Sequence, residues 1–494
     1  MTAPADNTYD ELPYEDLAFF HTHPANLAAV AMLCGMTPPP IESCSVLELG
    51  CGAGFNLIAM SESLPDARLV GIDYSARQIE AGREMAARAG AANVDLRVGD
   101  ASALDASLGR FDYVIAHGLL SWVTPDVRSA IFAACNRHLA PGGIAYLSYN
   151  TYPGWHLRSL LFDALRFHAA FEGTPLERVR RARAALDRMI DDLPEPDVEY
   201  ARLLRSEIEG LRDDQDAYVF HEFLETDNHP LHFAEFAVQA AQAGLRYVAE
   251  ARFGTSAIAQ RGDMRRRLEA VSPDLLRQEQ YHDLLRNRYF RQSLLCHADL
   301  PSNGLLQQGA LDRLVILARV EPLPAEADGV RPFRLRDGGV VRLDNPLLIA
   351  ILDRLARAWP QPLGVGALAA AVEADLAGVA LPPGASAGAV IREGVLVGYG
   401  WGWWPLLARA PAAALVPGER PRALALARLG ARNASSVTNL LHQPVELDAA
   451  QRAVIVRLDG SATLDDIAGS LGMTRDEVAA TVQGLAAAWL LTRG

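Results

Sequence analysis

Val46-Leu-Glu-Leu-Gly-Cys-Gly-Ala-Gly-Phe-Asn56 is the stretch whose reading decides the fold. A short apolar run carries one carboxylate, Glu48, and leads into glycines at alternate positions, Gly50, Gly52 and Gly54. A helix start follows at Phe55 and Asn56. That order describes a buried strand turning sharply into a helix. Side chains are missing where a ligand would approach the backbone.

Outward from this turn the pattern repeats. Arg68–Asp73 reads as a second buried strand closed by an acid, and Ser75 caps a helix over Ala76–Ala89. Val94–Val98 is a third strand, followed by Gly99-Asp100-Ala101, and Phe111–Ala116 a fourth, ending at His117-Gly118. Pro125 opens a helix that ends near His138, and Ile144–Tyr149 is a fifth strand. Strands alternating with helices at this pace predict an α/β fold, a doubly wound parallel sheet with helices on both faces. Residues 155–228 are helical and charged, an insertion placed where ligands meet the carboxyl ends of the strands. Leu231–Ala243, Gly244 and Leu245–Ala249 read as a late helix-turn-strand unit of the same sheet. Arg265–Leu300 reads as helical. A loop is expected at Pro382–Ser386. Residues 447–491 read as a winged-helix-like unit with helices starting at Thr463 and Thr474, and Asp344–Ala371 as the start of a diverged first copy. The expected divisions are an N-terminal helical cap at 1–43, a ligand-binding domain at 44–255, a helical middle region at 256–327, and a mostly helical C-terminal part at 328–494.

Composition narrows the function. A chain of 494 residues holds two to four domains. A net charge of -14 argues against general affinity for nucleic acid or an anionic membrane. No apolar run approaches the roughly 20 residues needed to span a bilayer. The acidic N-terminus is the wrong sign for a targeting signal. Five scattered cysteines without a CxxC pair fit a reducing cytoplasm and no structural zinc. His21 and His23 lack the partners of a metal site. All 46 basic residues are arginine, so the protein has no lysine of its own to modify.

Three acids line up with the ends of three successive strands: Glu48, Asp73 and Asp100. Asp73 lies where an acid binds both ribose hydroxyls. Asp100 can accept from an adenine amine. No basic residue waits for a phosphate, and Glu48 would repel a pyrophosphate but suits an ammonium group. S-adenosylmethionine has an amino-acid end, a sulfonium and no phosphate. The E-x-G-x-G-x-G pattern resembles that of class I methyltransferases.

The resemblance narrows at Tyr9-Asp-Glu-Leu-Pro-Tyr14, Thr22-His-Pro24, His117-Gly-Leu-Leu-Ser-Trp122 and Ser148-Tyr-Asn-Thr-Tyr-Pro-Gly-Trp155. It continues at Phe220–Glu225, Arg286–Gln292 and Val437–His442. These stretches resemble bacterial protein lysine methyltransferases that carry a methyltransferase regulatory domain, among them enzymes acting on outer-membrane proteins. The resemblance implies a Rossmann-like sheet and S-adenosylmethionine as donor, leaving S-adenosylhomocysteine. It implies donor contacts at Tyr14, Glu48, Gly50, Gly52, Gly54, Asn56, Asp73, Tyr74, Asp100, Ala101 and His117. The acceptor side falls to His117, Tyr149, Asn150 and Tyr152, with Trp122 and Trp155 as pocket walls. His221, Glu222 and Glu225 read first as a salt-bridged helix surface and second as a proton acceptor. Arg178–Arg188 reads first as a solvated face and second as an attraction for an acidic partner. A protein acceptor is expected. A small molecule or biosynthetic peptide, or donor binding without turnover, are the alternatives, and the oligomeric state, a homodimer included, is left open.

Overall fold

The computed structural model describes residues 8–14, 17–169, 172–194, 198–225, 227–300, 305–326, 329–376 and 386–493. Seven strands form the central sheet: β1 (Ser45–Leu49), β2 (Arg68–Asp73), β3 (Val94–Val98), β4 (Phe111–Ala116), β5 (Leu139–Asn150), β6 (Leu245–Glu250) and β7 (Phe290–His297). Their order is β3-β2-β1-β4-β5-β7-β6. β1 to β5 run parallel, and β7 runs antiparallel between β5 and β6. The strand order reverses between β1 and β4, which opens a crevice at their carboxyl ends.

The expected alternation holds through β5, and the Ala76–Ala89 helix starts where Ser75 accepts from the Gln78 amide at 3.0 Å. The reading of 265–300 as helical is corrected. Two helices, Gly262–Val271 and Leu275–Arg286, give way to β7. Arg291 disguises this strand. Its guanidinium is fully buried and donates to Glu250 at 2.6 Å, Asp283 at 2.8 Å and Glu279 at 3.0 Å. A buried charge is tolerated when it is paired and hydrogen-bonded in this way.

Strand alternation sorts the two faces. Leu47, Val70, Leu147 and Tyr149 pack under the helices Pro125–His138 and Phe233–Gln242. Val46, Leu69, Tyr113 and Tyr146 face the opposite way, toward the helix Pro24–Leu33. That helix is buried almost all round because the C-terminal part covers its outer side, where the Ala408 amide donates to the Ala25 carbonyl at 2.9 Å. The insertion is four helices, Gly154–Ala169, Pro175–Asp192, Glu199–Arg212 and Asp216–Phe223, around a separate core that includes Leu165, Val179, Ile208 and Phe220.

Toward the C-terminus, helices Pro346–Ala358 and Val365–Asp375 fall in and beyond the expected first copy. The last unit has helices Ala449–Ile455, Leu464–Leu471 and Arg475–Ala487, the latter two opened by capping boxes at Thr463 and Thr474. Of the loop expected at 382–386 only Ser386 is described, and it caps the helix Ala387–Gly400; 382–385 lie outside the described residues.

Candidate active site

Gly50, Gly52 and Gly54 all adopt positive φ, at 69°, 55° and 72°. The turn is fixed from β2: the amides of Gly50 and Cys51 donate to the Ile72 carbonyl at 2.8 and 3.2 Å. Asp73 completes the fixing, accepting from the Gly52 amide at 2.8 Å and from the Ser75 amide at 2.9 Å. A side chain at Gly54 would meet Leu96 at 2.5 Å, so the helix behind the turn packs close against β3.

Glu48 lies beneath this turn. Oε1 accepts from Asn56 Nδ2 at 2.9 Å, while Oε2 is buried with no hydrogen-bond partner among the described residues. Burial pushes its carboxyl up to about 7, opposed by the Asn56 hydrogen bond and reinforced by Asp73. Asn56 also ties the turn to the N-terminal segment: its Oδ1 accepts from the Phe19 amide at 3.1 Å, and Nδ2 donates to Thr22 at 3.0 Å. Asp100 is exposed and closes its own turn, accepting from the Ser102 amide at 2.8 Å, with Ala101 half-buried beside it.

His117 ends β4 with its ring between Phe19, 3.9 Å away, and Tyr146, whose hydroxyl lies 2.9 Å from Nδ1. Burial, with His21 adding, lowers its pKa to about 4, so the ring is neutral at physiological pH. Gly118 follows at φ 62°, held through its amide by Ser148 Oγ at 2.7 Å, with open space where a Cβ would point.

Among the acceptor-side candidates Tyr149 requires a correction. It is 1% exposed and stacks on Phe236 at 4.2 Å, on the face of β5 away from His117. One residue along a strand reverses the face, so Ser148 and Asn150 point to the crevice side instead. The backbone amide of Asn150 is held by Ser121 Oγ at 2.8 Å. Tyr152 stacks on His156 at 4.3 Å and lies near His232 at 5.1 Å. Trp155 is buried against Phe223 and forms no pocket wall.

The N-terminal segment bridges the crevice. On one side Ser75 donates to Asp10, and Gln78 donates to the Tyr9 carbonyl at 3.3 Å. On the other, Thr8 donates to Glu225 at 2.6 Å, and His221 Nε2 lies 2.7 Å from the Leu12 carbonyl. Tyr9 stacks on His221 at 4.1 Å, and Tyr14 leans on the same ring at 4.8 Å. Tyr14 therefore meets the insertion, while Tyr74 is half-exposed next to Asp73. Glu222 lies on the same short helix, and burial pushes its carboxyl up to about 7, opposed by Arg158 and Asn150.

The arrangement fits S-adenosylmethionine: acids at three strand ends, a glycine turn closed to side chains, and a buried carboxylate oxygen in need of a donor. Three family models match the chain: a methyltransferase domain over residues 46–143, a predicted methyltransferase regulatory domain over 215–297, and a PKMT C-terminal winged helix domain over 419–484. The fold and site are those of a class I, S-adenosylmethionine-dependent methyltransferase.

Within that class, the chain belongs to the family that combines this domain with the regulatory domain and the PKMT winged helix. Protein RP028 of Rickettsia prowazekii is 36% identical over 233 residues, 47% of this chain and 93% of that protein. Protein RP789 of the same organism is 37% identical over 320 residues, 64% of this chain but only 57% of that relative's length. The structure of PKMT2 from Rickettsia typhi superposes with a TM-score of 0.84 at 26% identity, covering 97% of this chain and 100% of that one. The same protein in complex with AdoHcy gives 0.83. No helix among the described residues is long and apolar enough to cross a membrane.

Proposed function

We propose that this enzyme transfers the methyl group of S-adenosylmethionine to the side-chain nitrogen of lysine in a protein acceptor. The observation that carries the reading is the likeness to PKMT2, a protein lysine methyltransferase, across 97% of the chain. The character of the crevice supports it. Asp10 on the N-terminal bridge and Asp73, Glu222 and Glu225 around it make the crevice acidic, and acids favour both a sulfonium donor and an ammonium acceptor.

In this reading Asp73 holds the donor's ribose and Asp100 its adenine. Glu48 answers the amino-acid end from beneath the glycine turn. The donor supplies an already activated methyl group, so the protein's work is alignment and exclusion of water. His117, neutral and wedged between Phe19 and Tyr146, shapes the wall at the end of β4. Asn150 and Tyr152 guide the incoming side chain from the end of β5.

The test is incubation with labelled donor and either cytoplasmic or envelope protein, followed by digestion and mass spectrometry. N-methyl-lysine in acceptor peptides is expected. The chain contains no lysine, so no self-labelling on lysine can enter the signal. Label confined to small molecules would overturn the reading.

A further inference from the structure

We propose that Glu62 is a positioning residue for donor binding: it locks the helix that continues the glycine turn to the C-terminal part, so that the seating of this part and donor affinity are coupled. The inference concerns the donor side alone and does not depend on which acceptor is methylated.

The two ends of the helix Phe55–Ser63 are held by different parts of the chain. It begins at Gly54, the last glycine of the turn, and its second residue, Asn56, holds Glu48 and the Phe19 amide. Phe19 in turn faces His117. At the far end, Glu62 Oε1 accepts from the amides of Ala425 and Leu426, the latter at 3.4 Å. These two amides open the short helix Ala425–Gly430 and have no acceptor within it. Between the two ends, Leu426 packs in one cluster with Ile58 and Ala59.

The lock is anchored in the body of the C-terminal part. The Ala423 amide donates to the Leu458 carbonyl at 2.8 Å, and the Leu424 amide to the Leu490 carbonyl at 3.0 Å. A second contact reaches the same end of the helix. Asn439 Oδ1 accepts from the amides of Leu441 and Gln443 at 2.9 and 3.1 Å, and its Nδ2 donates to the Ala488 carbonyl at 3.0 Å. The turn built in this way presents His442, at φ 53°, edge-on to His23. His23 Nδ1 accepts from the Ala25 amide at 3.1 Å, so Nε2 carries the proton and donates to Ser63 Oγ at 2.9 Å. Glu62 is therefore held by the C-terminal part directly, and Ser63 through His23.

A helix of 9 residues is about 13 Å long and closed by its own backbone hydrogen bonds, so it moves as a rod. Displacing the Glu62 end displaces Gly54 and Asn56 at the other. Linkage then demands reciprocity: if seating of the C-terminal part tightens donor binding, bound donor tightens the seating by the same factor. A contact that only adds stability makes no such demand.

The experiment measures S-adenosylhomocysteine binding by calorimetry, and amide hydrogen exchange with and without it, on full-length wild type, Glu62→Ala, Glu62→Gln and Arg475→Ala. Arg475 pairs with Glu419 at 3.2 Å inside the C-terminal part and is the control for general loosening there. In wild type, saturating S-adenosylhomocysteine should slow exchange of the Ala425, Leu426 and Gln443 amides about tenfold. Glu62→Ala should bind it about tenfold more weakly and lose that added protection. Glu62→Gln, which keeps the accepting oxygen, should stay within about twofold of wild type, as should Arg475→Ala. Wild-type exchange at Ala425 and Leu426 that ignores the ligand overturns the inference, and this decides the matter even if Glu62→Ala fails to fold. A Glu62→Ala affinity within about twofold of wild type overturns it as well. So does an Arg475→Ala or a Glu62→Gln enzyme that binds as weakly as Glu62→Ala.

Discussion

The amide of Gly52 donates to Oδ2 of Asp73 at 2.8 Å, so the carboxylate that we propose holds the ribose also holds the glycine turn in shape. Asp73→Ala should therefore cost more than ribose contacts. Donor affinity is expected to fall by about 10- to 100-fold, read by calorimetry, since each lost charged hydrogen bond is worth about 1.5–3 kcal/mol. Gly52→Val should abolish binding. Its φ is 55°, and the first added carbon already meets Gln78 Oε1 at 2.8 Å.

Glu48 makes the apo enzyme less stable as pH rises. Its folded pKa of about 7 lies above the unfolded value, so stability is fully present below about 4.3 and lost as pH climbs through about 7. Glu48→Gln should raise the melting temperature of the donor-free protein at pH 8 and leave it little changed at pH 4.5. The gain is bounded at about 4 kcal/mol. The same variant should bind donor more weakly, because it removes the carboxylate beneath the turn.

Buried histidines act in the opposite sense. His23 and His442 meet edge to face at 4.9 Å, between the N-terminal segment and the C-terminal part. Burial lowers both, His442 to about 4. A depressed folded value means stability present above about 6.5 and lost as pH falls through about 4. Melting between pH 7 and 4 should drop steeply, and His442→Asn, which tolerates the φ of 53° at this position, should flatten the drop. The removed contribution is at most about 3 kcal/mol.

Deleting residues 1–14 removes the bridge from Asp10 to Glu225 without touching the sheet. The truncated protein should melt cooperatively, bind donor about tenfold more weakly, and exchange amide hydrogens faster over Asp216–Phe223. Unchanged donor affinity would show that the segment does not cover the donor.

Much of the fold was legible because local chemistry and final structure agree. The glycine turn, the acids closing β1 to β3, and the caps at Ser75, Thr463 and Thr474 depend on neighbours in sequence. β7 was hidden because Arg291 looks like a surface residue until Glu250, Glu279 and Asp283 surround it. Tyr149 was misassigned because the face of β5 depends on register, and one residue reverses it.

The sequence by itself therefore determined the class of fold, the glycine turn and the acids at the strand ends, since all of these are short-range patterns. Only the tertiary structure decided which side chains share the crevice. Thr8 meets Glu225 across 217 residues of chain, because the insertion folds back over the strand ends. Val46–Asn56 builds the turn. What closes over it comes from the first residues of the chain and from the insertion, held there by burial and hydrogen bonds that no local pattern encodes.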